Sequence, residues 1–135
     1  MKFKNVVRVL SVVVLCGGLF MMGHAQKQAK WVAPDKAKTV KNPVASNAAS
    51  ISTGKDLYAK HCKSCHGKDG LGDGPKAATL GVSCNDFTSK DFKAQTDGEI
   101  FYKMTSGKDK MPAYGKTISE DADRWALVNF IRSLK

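Results

Sequence analysis

A small all-helical domain with long loops is the fold class this sequence predicts. Apolar residues recur at helical spacing around Leu57 and Tyr58, from Ile100 to Met104, and from Trp125 to Leu134. No stretch alternates apolar and polar residues as a half-buried strand does, and glycine-rich runs fill the spaces between the periodic segments. At 135 residues the chain has room for one small domain plus extensions.

The first element is an export signal over residues 1–25. Lys2, Lys4 and Arg8 precede an apolar run from Val9 to Met22, and Gly23-His24-Ala25 ends on a small residue. Charge, apolar middle and small-residue exit are the layout of a secretory signal cleaved after Ala25. The run is shorter than the roughly 20 apolar residues a membrane-spanning helix needs. Cys16 follows Leu15 rather than a small residue, which speaks against lipidation. The mature chain then belongs outside the cytoplasm, in the periplasm or an equivalent exported compartment; a retained N-terminal anchor, the second reading, would leave it membrane-associated.

Residues 26–50 carry five lysines against the single acid Asp35 and show no sustained period. That composition predicts a flexible or extended leader. The domain proper is placed at 51–135, where Ser52 or Thr53 caps a helix through Lys60 and Gly54 allows close packing. Glycine-rich KDGLGDGPKAATL reads as a loop wrapping something, with a helical turn near Lys76 to Leu80. Thr96 and Glu99 match a capping box for a helix through Met104, which Gly107 stops. The last helix starts at Thr117 or Ser119, with acids in its first turn and Arg132 at its end.

Charge limits the function classes. The net +10 of the whole chain falls to +3 in residues 51–135, where 14 basic side chains face 11 acidic ones. No basic stripe with interleaved aromatics is present, so nucleic-acid binding is not expected. A mildly basic surface steers toward acidic partners, and Lys63, Lys68, Lys108, Lys110 and Lys116 flank the loops that matter most.

The chemistry concentrates in HCKSCHG, His61 to Gly67. A zinc site needs about four ligands, usually from two paired clusters, and Cys84 stands alone with no histidine after His66. A redox disulfide of the thioredoxin kind expects a preceding strand, which is missing. Cys-x-x-Cys-His is the attachment signature of c-type haem: Cys62 and Cys65 would form thioethers with the porphyrin and His66 would ligate iron. His61 reads as a bystander, and Cys84 as a small buried residue or an intermolecular thiol. For the sixth iron ligand, Met104 shares helical spacing with Ile100 and Phe101 and reads as core, whereas Met111 sits in a loop directly before Pro112.

GKDLYAKHCKSCHG, GLGDGP, GKDKMPAYG and DRWALVNFIRSL together resemble the class I c-type cytochromes of exported bacterial proteins. That resemblance implies a cytochrome c-like helical fold around one covalent haem c, with the first and last helices crossing where Gly54 and Tyr58 meet Leu127 and Phe130. It implies Met111 as axial ligand opposite His66 and the Pro75 carbonyl as acceptor for the other His66 ring nitrogen. Leu80, Ile100, Phe101 and Tyr114 become candidate haem walls. The function expected is single-electron carriage between redox partners without substrate conversion. A haem enzyme with a labile sixth position, acting on peroxide or a small gas, competes with it, as does a subunit of a membrane respiratory complex tethered by its leader.

Overall fold

Local hydrogen-bond chemistry sets the helix boundaries along this chain. The computed structural model describes residues 31–135, of which Val32–Lys135 forms one compact unit; the signal expected over residues 1–25 lies outside the described residues. Seven helices follow one another among the described residues: α1 Asp35–Lys38, α2 Ala48–His61, α3 Lys63–His66, α4 Pro75–Leu80, α5 Lys90–Lys93, α6 Asp97–Ser106 and α7 Asp121–Ser133. No strand occurs among these residues, and the one extended pairing is an isolated antiparallel bridge between Lys108 and Met111. The all-helical expectation therefore holds.

The capping box at α6 forms as expected. Thr96 Oγ1 accepts from the Glu99 amide at 3.3 Å, and Glu99 Oε2 accepts from the Thr96 amide at 2.8 Å, so two helix-end donors are satisfied reciprocally. Pro75 opens α4, where its missing N–H costs nothing, and Gly81 closes it in the left-handed conformation at φ 63°. The start of α2 departs from expectation. Asn47, not Ser52 or Thr53, caps it: the Asn47 side chain accepts from the Ser50 amide at 2.9 Å, and Ser50 Oγ accepts from the Asn47 amide at 3.1 Å. Ser50 fills the third position of a capping box, a role usually taken by Glu or Gln, so the sequence signal is weak. At the other end of the chain, α7 begins at Asp121 after Glu120, later than Thr117 or Ser119.

The dominant contact is the crossing of α2 and α7. A Cβ at Gly54 would collide with the Ala126 carbonyl and lie 2.7 Å from Phe130 Cβ, so the two backbones approach as closely as a bare glycine permits. Beside it the Tyr58 and Phe130 rings lie 5.1 Å apart, and Leu127 and Val128 are fully buried. The aromatic pair Phe101 and Trp125, stacked with centroids 4.0 Å apart, fastens α6 to α7. At roughly 25 cal/mol per Å2 of apolar surface removed from water, this seam supplies the main driving force for the fold.

The leader, expected to be flexible or extended, packs on the domain from Val32 onward. Ala33 and Ala37 are buried, and Gly98 has no side chain to hold off the Ala37 and Val40 carbonyls that lie against it. Asn129, 4% exposed in α7, binds this strap: its Nδ2 donates to the Val44 carbonyl at 3.1 Å, the Ala45 carbonyl at 3.3 Å and Ser50 Oγ at 3.2 Å, and its Oδ1 accepts from Asn42 at 2.8 Å. A polar segment is ordered here by a buried amide on a helix some 85 positions away. Nothing in the strap's own composition announces that partner.

Replacing Gly54 by alanine should destabilise the protein by about 1–3 kcal/mol, the usual cost of overpacking. Gly81→Ala meets open space and should cost less, about 1 kcal/mol for its left-handed backbone. Thermal melts of the two variants against the parent measure the difference; equal melting temperatures would place the close approach elsewhere.

Candidate cofactor site

His61 to Gly67 sits where α2 breaks into α3. The Cys62 amide still donates to the Tyr58 carbonyl at 2.9 Å, closing α2, while the Cys62 carbonyl accepts from Cys65 at 3.1 Å and from His66 at 2.9 Å. One tight turn thus carries both sulfurs and the imidazole. Cys62 and Cys65 are free thiols rather than a disulfide. Burial, with the neighbouring Cys65 adding to it, pushes the Cys62 thiol up to about 12, so it stays protonated at neutral pH.

The His66 ring is in the state a metal ligand requires. Burial holds its protonated form down, with the Asn85 backbone working against that shift, and a neutral imidazole keeps a lone pair for donation. Its ring stacks on Phe87 with centroids 4.5 Å apart. Nδ1 is buried and makes no hydrogen bond. The Pro75 carbonyl, which the resemblance names as its acceptor, takes a bond from Thr79 Oγ1 at 3.1 Å inside its own helix.

The glycine-rich loop holds the turn by its backbone. The Gly72 amide donates to the His66 carbonyl at 2.9 Å and the Gly74 amide to the Cys65 carbonyl at 3.1 Å. A Cβ on Gly74 would press into the Ser64 and Cys65 backbone, so the loop lies on the motif main chain to main chain. From the other side Tyr58 donates its hydroxyl to the Gly67 carbonyl at 2.8 Å.

The predicted surround divides. Tyr114 belongs to the site: its hydroxyl donates to the His61 carbonyl at 2.8 Å, and burial beside the Cys62 and Cys65 sulfurs raises its phenol to about 12. Ile100 lies in the helical core, and Phe101 is taken up by Trp125. Leu80, the last residue of α4, is 41% exposed. Met104 is 4% exposed in the core, as its helical spacing foretold, while Met111 packs against the edge of that core from its loop. Lys63, Lys68, Lys108, Lys110 and Lys116 are all exposed.

Two participants escaped the sequence. Phe87, which stacks on His66, follows a polar stretch with no periodicity to mark it. Cys84 is half-buried rather than a core residue; burial and the nearby Cys65 both raise its thiol, which places it beside the motif.

Among the described residues no three His, Cys, Asp or Glu side chains converge to cage a metal ion by themselves. The donors fit a covalently held haem: two unpaired thiols on one turn, an adjacent neutral imidazole with an orphaned buried nitrogen, and a thioether on a loop tied to that turn.

A family model described as cytochrome c oxidase, cbb3-type, subunit III, matches residues 49–131. Among solved structures, the Kuenenia stuttgartiensis reducing HAO-like protein complex Kustc0457/Kustc0458 contains a chain 31% identical over 70% of this one, with a TM-score of 0.60. This chain covers 49% of that neighbour's length, about half. The KustC0563 c-type cytochrome is 30% identical over 61% of this chain and 96% of its own, with a TM-score of 0.51. No curated protein matches the sequence.

Gly74→Ala should cost about 1–3 kcal/mol through overpacking, and it should do so at the motif. The measurement is the yield of protein retaining covalent haem when the variant is made alongside Gly81→Ala: a several-fold drop is expected for Gly74 alone.

Proposed function

The chain belongs to the c-type cytochrome family described by that subunit III model, a family whose members hold haem c covalently, and on that premise we propose that it carries single electrons between redox partners outside the cytoplasm. One haem c would be held by Cys62 and Cys65 through thioethers, with His66 and Met111 as axial ligands. When bound, haem c supplies an iron that cycles between two oxidation states one electron apart.

The observation that carries this reading is the pairing of the HCKSCHG turn with the Met111 loop through Tyr114 and the His61 carbonyl. His66, buried with its protonated form held down, would supply a ring-nitrogen lone pair to the iron. Met111, in a loop closed back on itself by reciprocal bonds with Lys108 at 2.8 and 3.0 Å, offers a soft thioether that favours the reduced metal and raises the potential relative to a second histidine. Were His66 and Met111 both to ligate the iron, protein atoms would fill the positions a substrate needs, which favours carriage over peroxide or small-gas chemistry. Backbone bonds around the turn, such as those from Gly72 and Gly74 to the His66 and Cys65 carbonyls, would help hold these donors in one arrangement on transfer. Exposed lysines around the two loops suit acidic partner surfaces.

Export rests on the layout of residues 1–25. A second reading, a subunit of a membrane-bound respiratory complex, is favoured by the family description and by the multi-protein assembly that contains the 31% identical neighbour.

Protein matured with the haem-attachment machinery should retain haem after denaturation, read by peroxidase staining of a denaturing gel; an unstained band overturns the cofactor. Met111→Ala should keep that stain and lose the far-red sulfur-to-iron absorption band, and an unchanged spectrum would transfer the sixth position to another group. Release by osmotic shock supports the soluble carrier, and persistent membrane association supports the complex subunit.

A further inference from the structure

The loop bearing Met111 is anchored at two levels. Its ends close on the last turn of α6, where Tyr114 N–H donates to the Met104 carbonyl at 3.1 Å and Gly115 N–H to the Thr105 carbonyl at 3.2 Å. Gly107, at φ 63°, lies against Met111 and Pro112, and Asp109 takes a left-handed φ of 52°, so the turn is tight and its backbone is committed. Those contacts shape the loop without saying which way it faces. Orientation comes from the Tyr114 side chain, which crosses to the turn carrying the two cysteines: the hydroxyl reaches the His61 carbonyl at 2.8 Å, and the ring meets the His61 imidazole edge to face at 5.8 Å. His61, read from sequence as a bystander, contributes its carbonyl and its ring face.

We infer that Tyr114 is a positioning residue for the sixth iron ligand, latching the Met111 loop onto the residue that immediately precedes the haem-binding cysteines. The inference rests on Met111 being that ligand. Opening the loop, which any competing ligand must do to displace the sulfur, breaks the phenol–carbonyl bond and leaves the His61 carbonyl, at a part-buried site, without its donor. The latch therefore adds the worth of one hydrogen bond to the closed state and nothing to the attachment of the porphyrin. Tyr58 makes the equivalent bond to the Gly67 carbonyl from within the core, but it touches the motif alone and has no lever on the loop.

The test is imidazole titration of the full-length oxidised holoprotein, following loss of the far-red sulfur-to-iron band. Tyr114→Phe keeps the ring on His61 and removes the hydroxyl. Its expected signature is undiminished covalent haem, a band still present without imidazole, and half-loss of that band at about threefold to tenfold lower imidazole, the factor matching the ordinary net strength of a hydrogen bond. Asn42→Ala, which releases the strap from Asn129 at a distance from the loop, should lower the melting temperature and leave the imidazole midpoint in place. In a Met111→Ala background, where imidazole enters with no sulfur to displace, Tyr114→Phe should leave imidazole affinity unchanged. A Tyr114→Phe midpoint within twofold of the parent overturns the latch, and so does an equal shift in Asn42→Ala or an effect that persists without Met111. A parent protein whose band survives Met111→Ala overturns the ligand assignment separately, and the latch with it.

Discussion

The contact between α2 and α7 at Gly54 is the constraint on which the rest of the molecule depends. Because a bare glycine lets the Ala126 carbonyl and Phe130 come against it, the two helices cross at van der Waals distance and bury Leu127 and Val128 completely. Tyr58, one turn further along α2, is then brought against Phe130 and Phe87, and its hydroxyl reaches the Gly67 carbonyl. The position of the cysteine-bearing turn is therefore a consequence of helix packing: α2 delivers it at its C-terminal end, and the crossing fixes where that end lies.

Around this turn the chain works mainly through backbone atoms. Gly72 and Gly74 donate their amides to the His66 and Cys65 carbonyls, and Phe87 closes on the Gly70 carbonyl at 2.7 Å. Backbone contacts of this sort are short and have few alternative geometries, so a ligand set mounted on them is held with little side-chain freedom. Loops rich in glycine and lysine lack apolar surface to bury, and main-chain bonding is the means by which such segments become ordered. Arg124 supplies the same service downstream of Met111: this buried cation lies over Phe101 at 5.2 Å and donates to the carbonyls of Gly115, Ile118 and Ser119 while pairing with Asp121. A buried charge is expensive unless bonded in this way, and here it holds the segment between the methionine loop and the last helix.

The strap from Val32 to Asn47 corrects the simplest view of a polar leader. Its composition argues against independent folding, and correctly so, since the order comes from elsewhere: from Asn129 in α7, from Gly98 in α6, and from Asn47 capping α2. Polar segments with low hydrophobicity acquire structure when a folded body presents complementary donors and acceptors. The strap lies against α6 at Gly98 and against α7 at Asn129.

Local chemistry was legible in the sequence and long-range geometry was not. The cysteine, cysteine, histidine run is contiguous, the Thr96–Glu99 cap closes within one turn, and the apolar spacing of α7 needs no partner to be recognised; each depends on residues a few positions apart, where chain connectivity alone enforces proximity. Met104 was placed in the core by the same short-range reasoning. Tertiary structure decided what connectivity leaves free: that Asn47 rather than Ser52 or Thr53 starts α2, that Asn129 in α7 binds the strap, and that Tyr114 crosses 53 positions to the His61 carbonyl. Pairings across such separations are selected by which backbones can approach and which buried polar atoms must be satisfied, and both are properties of the packed molecule.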